Sequence, residues 1–376
     1  MRKLIIIALV CCFGLALRAQ DNAPKNWWNL DREADNFPGV SANKAQAYLA
    51  GKSGQEVVVA VIDSGIDVEH EDLKDIIWTN ADEVPGNGKD DDNNGYVDDI
   101  HGWNFIGGSD GRDINYENLE VVRLYSKLKK KYANRNREGL PKAEKKEYDK
   151  IAEYEKEIKE NQEKWAPQLA QVKPLFEMAE MAMKTIGKEP ADITKEDIDN
   201  LDDTEFGLFK NVAGRFLAET DFAGFYDEIK GYVEYMESQV EYNYNPDFDA
   251  RDIVGDDPSN LDDRNYGNNN YEGPDAAHGT HVAGIIAAIR DNGIGVDGVG
   301  GANVRIMSVR TVPNGDERDK DVANAIRYAV DNGASVINMS FGKGYSPYKG
   351  AVDDAVRYAE KNDVLLVHAA GNDGKC

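Results

Sequence analysis

Cysteine is nearly missing from this chain: of 376 residues only three are cysteine, the adjacent Cys11 and Cys12 and the last residue, Cys376. That excludes an internal disulfide framework and a zinc site built on cysteine pairs. Stability has to come from apolar burial and from bound ions. Positive charge is scarce too, with 44 Lys and Arg against 69 Asp and Glu and a formal net charge of −25. So acidic a surface repels phosphate backbones, and no nucleic acid is expected as a partner. Long apolar runs are limited to one, Leu4 to Leu17, behind Arg2 and Lys3. It falls short of the roughly 18–20 residues that cross a bilayer, so no transmembrane span is expected. The charged start and the end near Ala19 and Gln20 fit a signal peptide over 1–19, and hence a secreted or periplasmic protein. An uncleaved anchor is the alternative.

After an N-terminal segment, 20–56, the pattern turns to strands and helices. Val57 to Ile62 is a continuous β-branched and apolar run, as in a strand buried on both faces. Further on, His278 to Arg290 has helical spacing, Val304 to Val309 reads as a strand, and Lys320 to Asn332 as a helix closed by Gly333. Val336 to Met339 is a strand, Gly350 to Lys361 a helix, and Val364 to Ala370 another buried strand. Strands alternating with helices predict an α/β fold, a parallel β-sheet with helices on both faces. Sites in such sheets lie at the carboxyl ends of strands, where Asp63, Ser340 and Asn372 fall.

The composition changes between these parts. Residues 115–240 are rich in Lys, Glu and Ala and poor in turn signals. Ile151, Tyr154, Ile158 and Trp165 recur at helical spacing, as do Leu169, Val172 and Phe176. They predict a large α-helical insertion of long antiparallel amphipathic helices, with Pro141, Pro167 and Pro190 near helix ends and Thr194 with Asp197 as an N-terminal cap. The insertion would divide the main domain into 57–114 and 241–376, and it offers a surface on which a protein partner could dock. The stretch from Tyr242 to Pro274, full of Asn, Asp, Gly and Tyr, reads as a long surface loop.

Three segments carry chemistry. Asp63 ends the first strand, where a carboxylate can orient a histidine. On its own, Val-Ile-Asp-Ser-Gly also matches the loop of an aspartic peptidase, but such a site needs two loops and no second one occurs. His278-Gly279-Thr280-His281-Val282-Ala283-Gly284 opens a helix, with small residues at 279, 283 and 284 that let it pack closely on the sheet. A neutral imidazole there can act as a general base. His278 and His281, three apart, would also suit zinc, although no His-Glu-x-x-His pattern accompanies them. Ala369-Ala370-Gly371-Asn372-Asp373-Gly374 follows a strand, and the Asn372 amide can point a donor at a developing oxyanion.

In this order, Asp, His and Asn, the segments resemble the subtilisin-like serine peptidases, or subtilases. The resemblance implies hydrolysis of polypeptide substrates through an Asp-His-Ser triad and an acyl-enzyme. Asp63 would orient His278, His278 would be the base, and Asn372 would line the oxyanion hole. Ser340, Phe341 and Gly342 would form the edge that pairs with an extended substrate. The nucleophile of that family lies in a Gly-Thr-Ser-x-Ala motif after the oxyanion Asn, and the 376 residues contain no such motif. The serine is therefore expected beyond residue 376, and the chain alone is expected to be inactive. A non-catalytic, peptide-binding pseudopeptidase is the alternative.

One acidic stretch stands apart. Asp90 to Asp99, DDDNNGYVDD, places oxygens at alternating positions before a glycine, like the first half of a calcium loop. Asp90, Asp92, Asn94 and Asp98 are the expected ligands of a structural calcium ion. His101 at the twelfth position rules out an EF-hand.

Overall fold

The computed structural model describes residues 23–218, 220–372 and 374, so the stretch read as a signal peptide lies outside the described residues. Among the described residues no helix is long and apolar enough to cross a membrane. In chain order the main elements are α1 (Ala42–Leu49), β1 (Val57–Asp63), β2 (Gly102–Asn104), α2 (Glu120–Lys131), α3 (Lys142–Ile186), α4 (Lys195–Asp199), α5 (Asp203–Phe216) and α6 (Phe222–Glu237). There follow α7 (Ala277–Ala287), β3 (Val304–Arg310), α8 (Asp319–Asp331), β4 (Val336–Met339), α9 (Lys349–Lys361) and β5 (Leu365–His368).

The five strands form one sheet in the order β2-β3-β1-β4-β5, every pair parallel. β1 sits at the centre, and its last five residues, Val59 to Asp63, are buried. Alternate residues of a strand face opposite sides. Accordingly Val59, Val61 and Ile306 pack on Ala283 and Ala287 of α7. On the other side Ala60, Ile62, Met307 and Ile337 pack on Val322 and Ile326 of α8 and on Ala355 and Ala359 of α9. Helices therefore cover both faces, as the alternation predicts.

β5 departs from its expectation. Leu365 is 62% and Val367 45% exposed, because β5 is the edge strand and α9 approaches only part of it. An apolar run signals a strand but not which strand lies outermost.

Between β2 and α7 stands the helical stretch. Its α3 runs 45 residues, about 68 Å at 1.5 Å per residue. Tyr154 and Ile158 of α3 pack on Val121, Val122, Tyr125 and Leu128 of α2, and Leu169 packs on Val233 and Met236 of α6. The apolar stripes are thus core. Thr194 and Asp197 form a reciprocal capping box at α4. Pro141 caps α3 and Pro190 opens a short 3₁₀ turn, but Pro167 lies inside α3 together with Pro174. An interior proline costs about 3 kcal/mol. The neighbouring Leu169, buried, and Val172, partly buried, pack on α6 and offset part of that cost.

The 242–274 stretch is irregular, as expected, yet it is not merely a surface loop. Ala250, Arg251, Val254 and Tyr266 are buried. Arg251 pairs with Asp256 (2.6 Å) and Asp321 (2.7 Å), and Lys320 with Asp256 (2.5 Å), all with nearly buried side chains. This network fixes the loop to α8.

Candidate active site

The carboxyl ends of β1, β3 and β4 meet at a cleft of about 270 Å³, lined among others by Asp63, Ser64, His278, Arg310, Ser340 and Phe341. Asp63 is the last residue of β1 and only 2% exposed. Its carbonyl accepts the Thr311 and Val312 N–H groups at 2.9 and 3.1 Å, which lock the strand end. Its Oδ1 accepts the Ser64 N–H at 2.8 Å and lies 2.7 Å from His278 Nδ1. The other oxygen, Oδ2, is buried without a hydrogen-bond partner among the described residues.

His278 is the second residue of α7, and its ring is 62% exposed, with the outer nitrogen free to work toward the cleft. What brings it to Asp63 is the adjacent glycine. A Cβ on Gly279 would lie 2.1 Å from the Gly65 carbonyl oxygen, so only glycine lets α7 approach this loop. Thr280 reinforces the contact, its hydroxyl accepting the Asp67 N–H at 2.9 Å. Ala283 is buried against the sheet as expected, whereas a Cβ on Gly284 would meet open space, so that glycine is not needed for packing. The geometry pairs His278 with a carboxylate, and His281 is exposed on the same helix.

Of the expected substrate edge, Ser340 and Phe341 line the cleft; Gly342, exposed, lies beside the His368 ring. Asn372 follows β5, is exposed, and is not among the residues lining the cleft.

Arg310 was not legible as a site residue. It ends β3 opposite Asp63, is 2% exposed, and donates to Ser64 O (2.8 Å), Asn104 Oδ1 (3.1 Å) and Ile114 O (2.5 Å). Burial among neutral oxygens pushes its guanidinium down to about 10. A second arginine closing a strand that also carries Arg305 and Ser308 gave little sign of it.

In the acidic loop the carboxylates of Glu83, Asp90 and Asp92 converge within 4.8 Å of one another. Asn94 stays close, its amide donating to Asp92 (3.0 Å) and Asp99 (3.1 Å). Asp98 does not join the three. It has a left-handed backbone (φ 54°), and its carboxylate instead accepts the Asn87 and Gly88 N–H groups at 3.1 and 2.8 Å. Glu83, which completes the group, lies seven positions before Asp90, outside the alternating pattern. Asp99, next to Asp98 in the chain, is pushed up to about 6 by burial, against hydrogen bonds from Tyr328, Asn80 and Asn94. Three converging carboxylates form an all-oxygen set of the kind calcium takes, although the Asn94 amide turns its NH₂ to Asp92 and its oxygen to the Tyr96 N–H.

Comparison with known proteins adds a family. The model of the subtilase family matches residues 54–375. The thermophilic serine proteinase of Bacillus sp. (strain AK1) is 38% identical over 161 residues, covering 41% of this chain and 37% of that protein. Thermitase of Thermoactinomyces vulgaris is 41% identical over 98 residues, covering 26% of this chain and 34% of that protein. The cell wall-associated protease of Bacillus subtilis (strain 168) is 40% identical over 125 residues, 33% of this chain and 14% of that protein. The chain thus spans little more than a third of these relatives at most. Among solved structures, the prenylagaramide maturation protease PagA aligns over 26% of this chain and 35% of its own, at 35% identity and a TM-score of 0.23.

Proposed function

The chain belongs to the subtilase family, and from that premise we propose that it carries the acid–base half of a serine endopeptidase. The observation behind this reading is the Asp63–His278 contact of 2.7 Å on the cleft floor. Asp63 would hold the Nδ1 proton of His278 and stabilise the imidazolium, leaving Nε2 to take the proton of a serine hydroxyl. The attacked carbonyl would form an acyl-enzyme, and the same imidazole would protonate the departing amine. Extended polypeptides would lie along Ser340 to Gly342, and Asn372 would donate to the oxyanion. The nucleophile would be a serine outside residues 1–376, so the chain by itself would be inactive.

Export completes the proposal, with residues 1–19 as a signal peptide and a secreted or periplasmic product. Calcium would be held by Glu83, Asp90 and Asp92, with Asn94 beside them, as a structural ion that neutralises the loop. Added calcium should raise the melting temperature of the chain, and Asp90→Asn should abolish the rise; a melt indifferent to calcium and to chelator would remove the metal. A protein partner would meet the helical stretch at its outer surface, where Leu208 is 68% and Tyr235 49% exposed.

Fluorophosphonate labelling of the protein expressed from its native gene tests the central claim. Label on a serine, lost in His278→Ala, is expected. A protein that takes no label yet binds peptides would be the pseudopeptidase, a reading favoured only by the lack of a Gly-Thr-Ser-x-Ala motif within these residues.

A further inference from the structure

The helical stretch lines the cleft at Asn115 on one side and braces the segment after Phe341 on the other. On one side the cleft is lined by Asn115, Pro313 and Asn314. Asn115 leads into the helices, and here the two chains pair: Asn314 N donates to Asn115 O at 2.7 Å and Glu117 N to Asn314 O at 3.0 Å. The approach is so close that a Cβ on Gly315 (φ 148°) would lie 2.1 Å from Glu117 O. The chain returning from the helices grips the same place. The Asn243 amide, 2% exposed, donates to both Glu117 O (3.0 Å) and Asn314 O (3.1 Å), and Tyr242 stacks on Tyr116 at 4.2 Å.

On the other side the contact falls on the substrate edge. Lys343 follows Gly342 directly, and its side chain is only 5% exposed. Its ammonium lies 3.0 Å from the Glu120 carboxylate at the start of α2 and 2.9 Å from Asp319 at the start of α8, and donates to Glu317 O at 2.7 Å. Two of the lysine's donors thus make hydrogen bonds, and the Asp319 carboxylate adds a second charge contact. Glu120 is itself held by Arg123 at 2.6 Å, whose guanidinium donates to Asp316 O at 3.0 Å. Two residues on from Lys343, the Tyr345 hydroxyl donates to Glu157 of α3 at 2.8 Å.

We infer that the helices brace the substrate cleft from behind, and that Lys343, anchored by Glu120, is the positioning residue that sets the Ser340–Gly342 edge. The inference rests on the proposed use of that edge for peptide binding. A backbone edge pairs with an extended chain only while its carbonyl and amide directions are fixed. Between β4 and α9 the segment 340–348 has no strand or helix of its own, and the lysine bridge supplies that fixity. Because the bridge lies beyond the edge and not at Asp63 or His278, losing it should weaken the grip on long ligands and spare the reactivity of the triad.

The test uses the protein expressed from its native gene and two probes: a hexapeptide with one reduced, uncleavable peptide bond, and a small fluorophosphonate. Lys343→Met should weaken hexapeptide binding about tenfold, the loss of one or two backbone hydrogen bonds, and leave the labelling rate within about twofold. Lys343→Met leaves buried Asp319 without its cation and Glu120 with Arg123 alone, so Glu120→Gln/Lys343→Met is made alongside it; the double variant should recover part of the melting temperature but not the binding. Unchanged hexapeptide binding in either folded variant overturns the inference, as does an equal loss with both probes. A parent that binds the hexapeptide but takes no label would sink the peptidase reading and leave the lysine's role to be decided by binding alone.

Discussion

Consider Asp63→Asn. The two side chains have nearly the same shape, so the 2%-exposed site keeps its packing, but the amide cannot reproduce the carboxylate's contacts in either orientation. With its oxygen at the Oδ1 position it would still accept from Ser64 N–H and His278 Nδ1, now 2.8 and 2.7 Å away, but its NH₂ would occupy the buried Oδ2 position, where no acceptor is found among the described residues. An unsatisfied buried donor costs about 1–3 kcal/mol. Flipped, the NH₂ would oppose the Ser64 N–H and donate to Nδ1, driving the proton onto Nε2, the nitrogen that must accept one. Either way the imidazolium also loses its counter-charge. The expected fall in kcat/KM for a peptide anilide, in the protein from its native gene, is about 10³–10⁴-fold, or roughly 4–5.5 kcal/mol of transition-state stabilisation. The stability cost moves the melting temperature by only a few degrees, so unfolding does not account for the loss. Nitrogen-15 shifts give a second readout on the 376-residue chain itself: Nδ1 of His278 should be the protonated nitrogen in the parent, and in the variant the proton should move to Nε2 only where the amide is flipped. Activity within tenfold of the parent, or a parent in which Nδ1 carries no proton, would refute the reasoning.

Glu317 is buried and pushed by that burial to about 7 from the usual 4.5, against the pull of Lys343. Between those values the folded protein holds a proton that the unfolded chain has released, so stability falls as pH rises through the window, by roughly 3 kcal/mol, and levels off above it. Glu317→Gln should therefore raise the melting temperature at pH 8 and leave it near the parent's at pH 4.5; an equal shift at both would show the burial effect to be wrong. Arg251→Met removes the shared cation of Asp256 and Asp321 and should cost roughly 3–5 kcal/mol, on the order of 10 °C in thermal melts. Adding Asp321→Asn should return part of that, and a single variant as stable as the parent would show that the network does not hold the loop.

Periodicity exposed what periodicity controls. The β-branched run of β1, the small residues facing it from α7 and the stripes of α3 each report burial on a repeating face; β1 stands within a residue of its expected limits, and α7 ends three residues before the expected Arg290. Edge position, by contrast, is set by sheet order, which no local pattern carries, hence the exposed Leu365 and Val367. The pairing of Asp63 with His278 was legible because a carboxylate and a glycine-flanked histidine break the apolar pattern at element ends. Arg310 broke it too, but its partners are backbone oxygens brought from residues 64 and 114 by the fold. Glu83 was hidden because the loop closes on itself: Glu83 accepts the Asp91 and Asp92 N–H groups at 2.8 and 3.2 Å, a contact made by the turn and not by spacing. Asp98 was misplaced for the converse reason, its alternation being correct but its left-handed backbone turning the carboxylate away.

The near-absence of cysteine finds its counterpart in where the buried charges sit. An irregular stretch of some thirty residues leads into His278, and irregular chain of that length has too few ladder hydrogen bonds to hold a side chain steady. A secreted protein would commonly use disulfides for this. Here the same positions carry ions: Arg251 and Lys320 tie the loop to α8, Arg123 and Lys343 tie the first turn of α2 to both cleft segments, and Arg318 reaches Glu117 at 2.8 Å. Each such pair is worth little as net stability, because desolvation offsets the attraction. Each is costly to break singly, however, and so fixes one arrangement over its neighbours. The formal charge of −25 fits this arrangement: the cations are few, and those at the roots of the loops stand where several carboxylates share one.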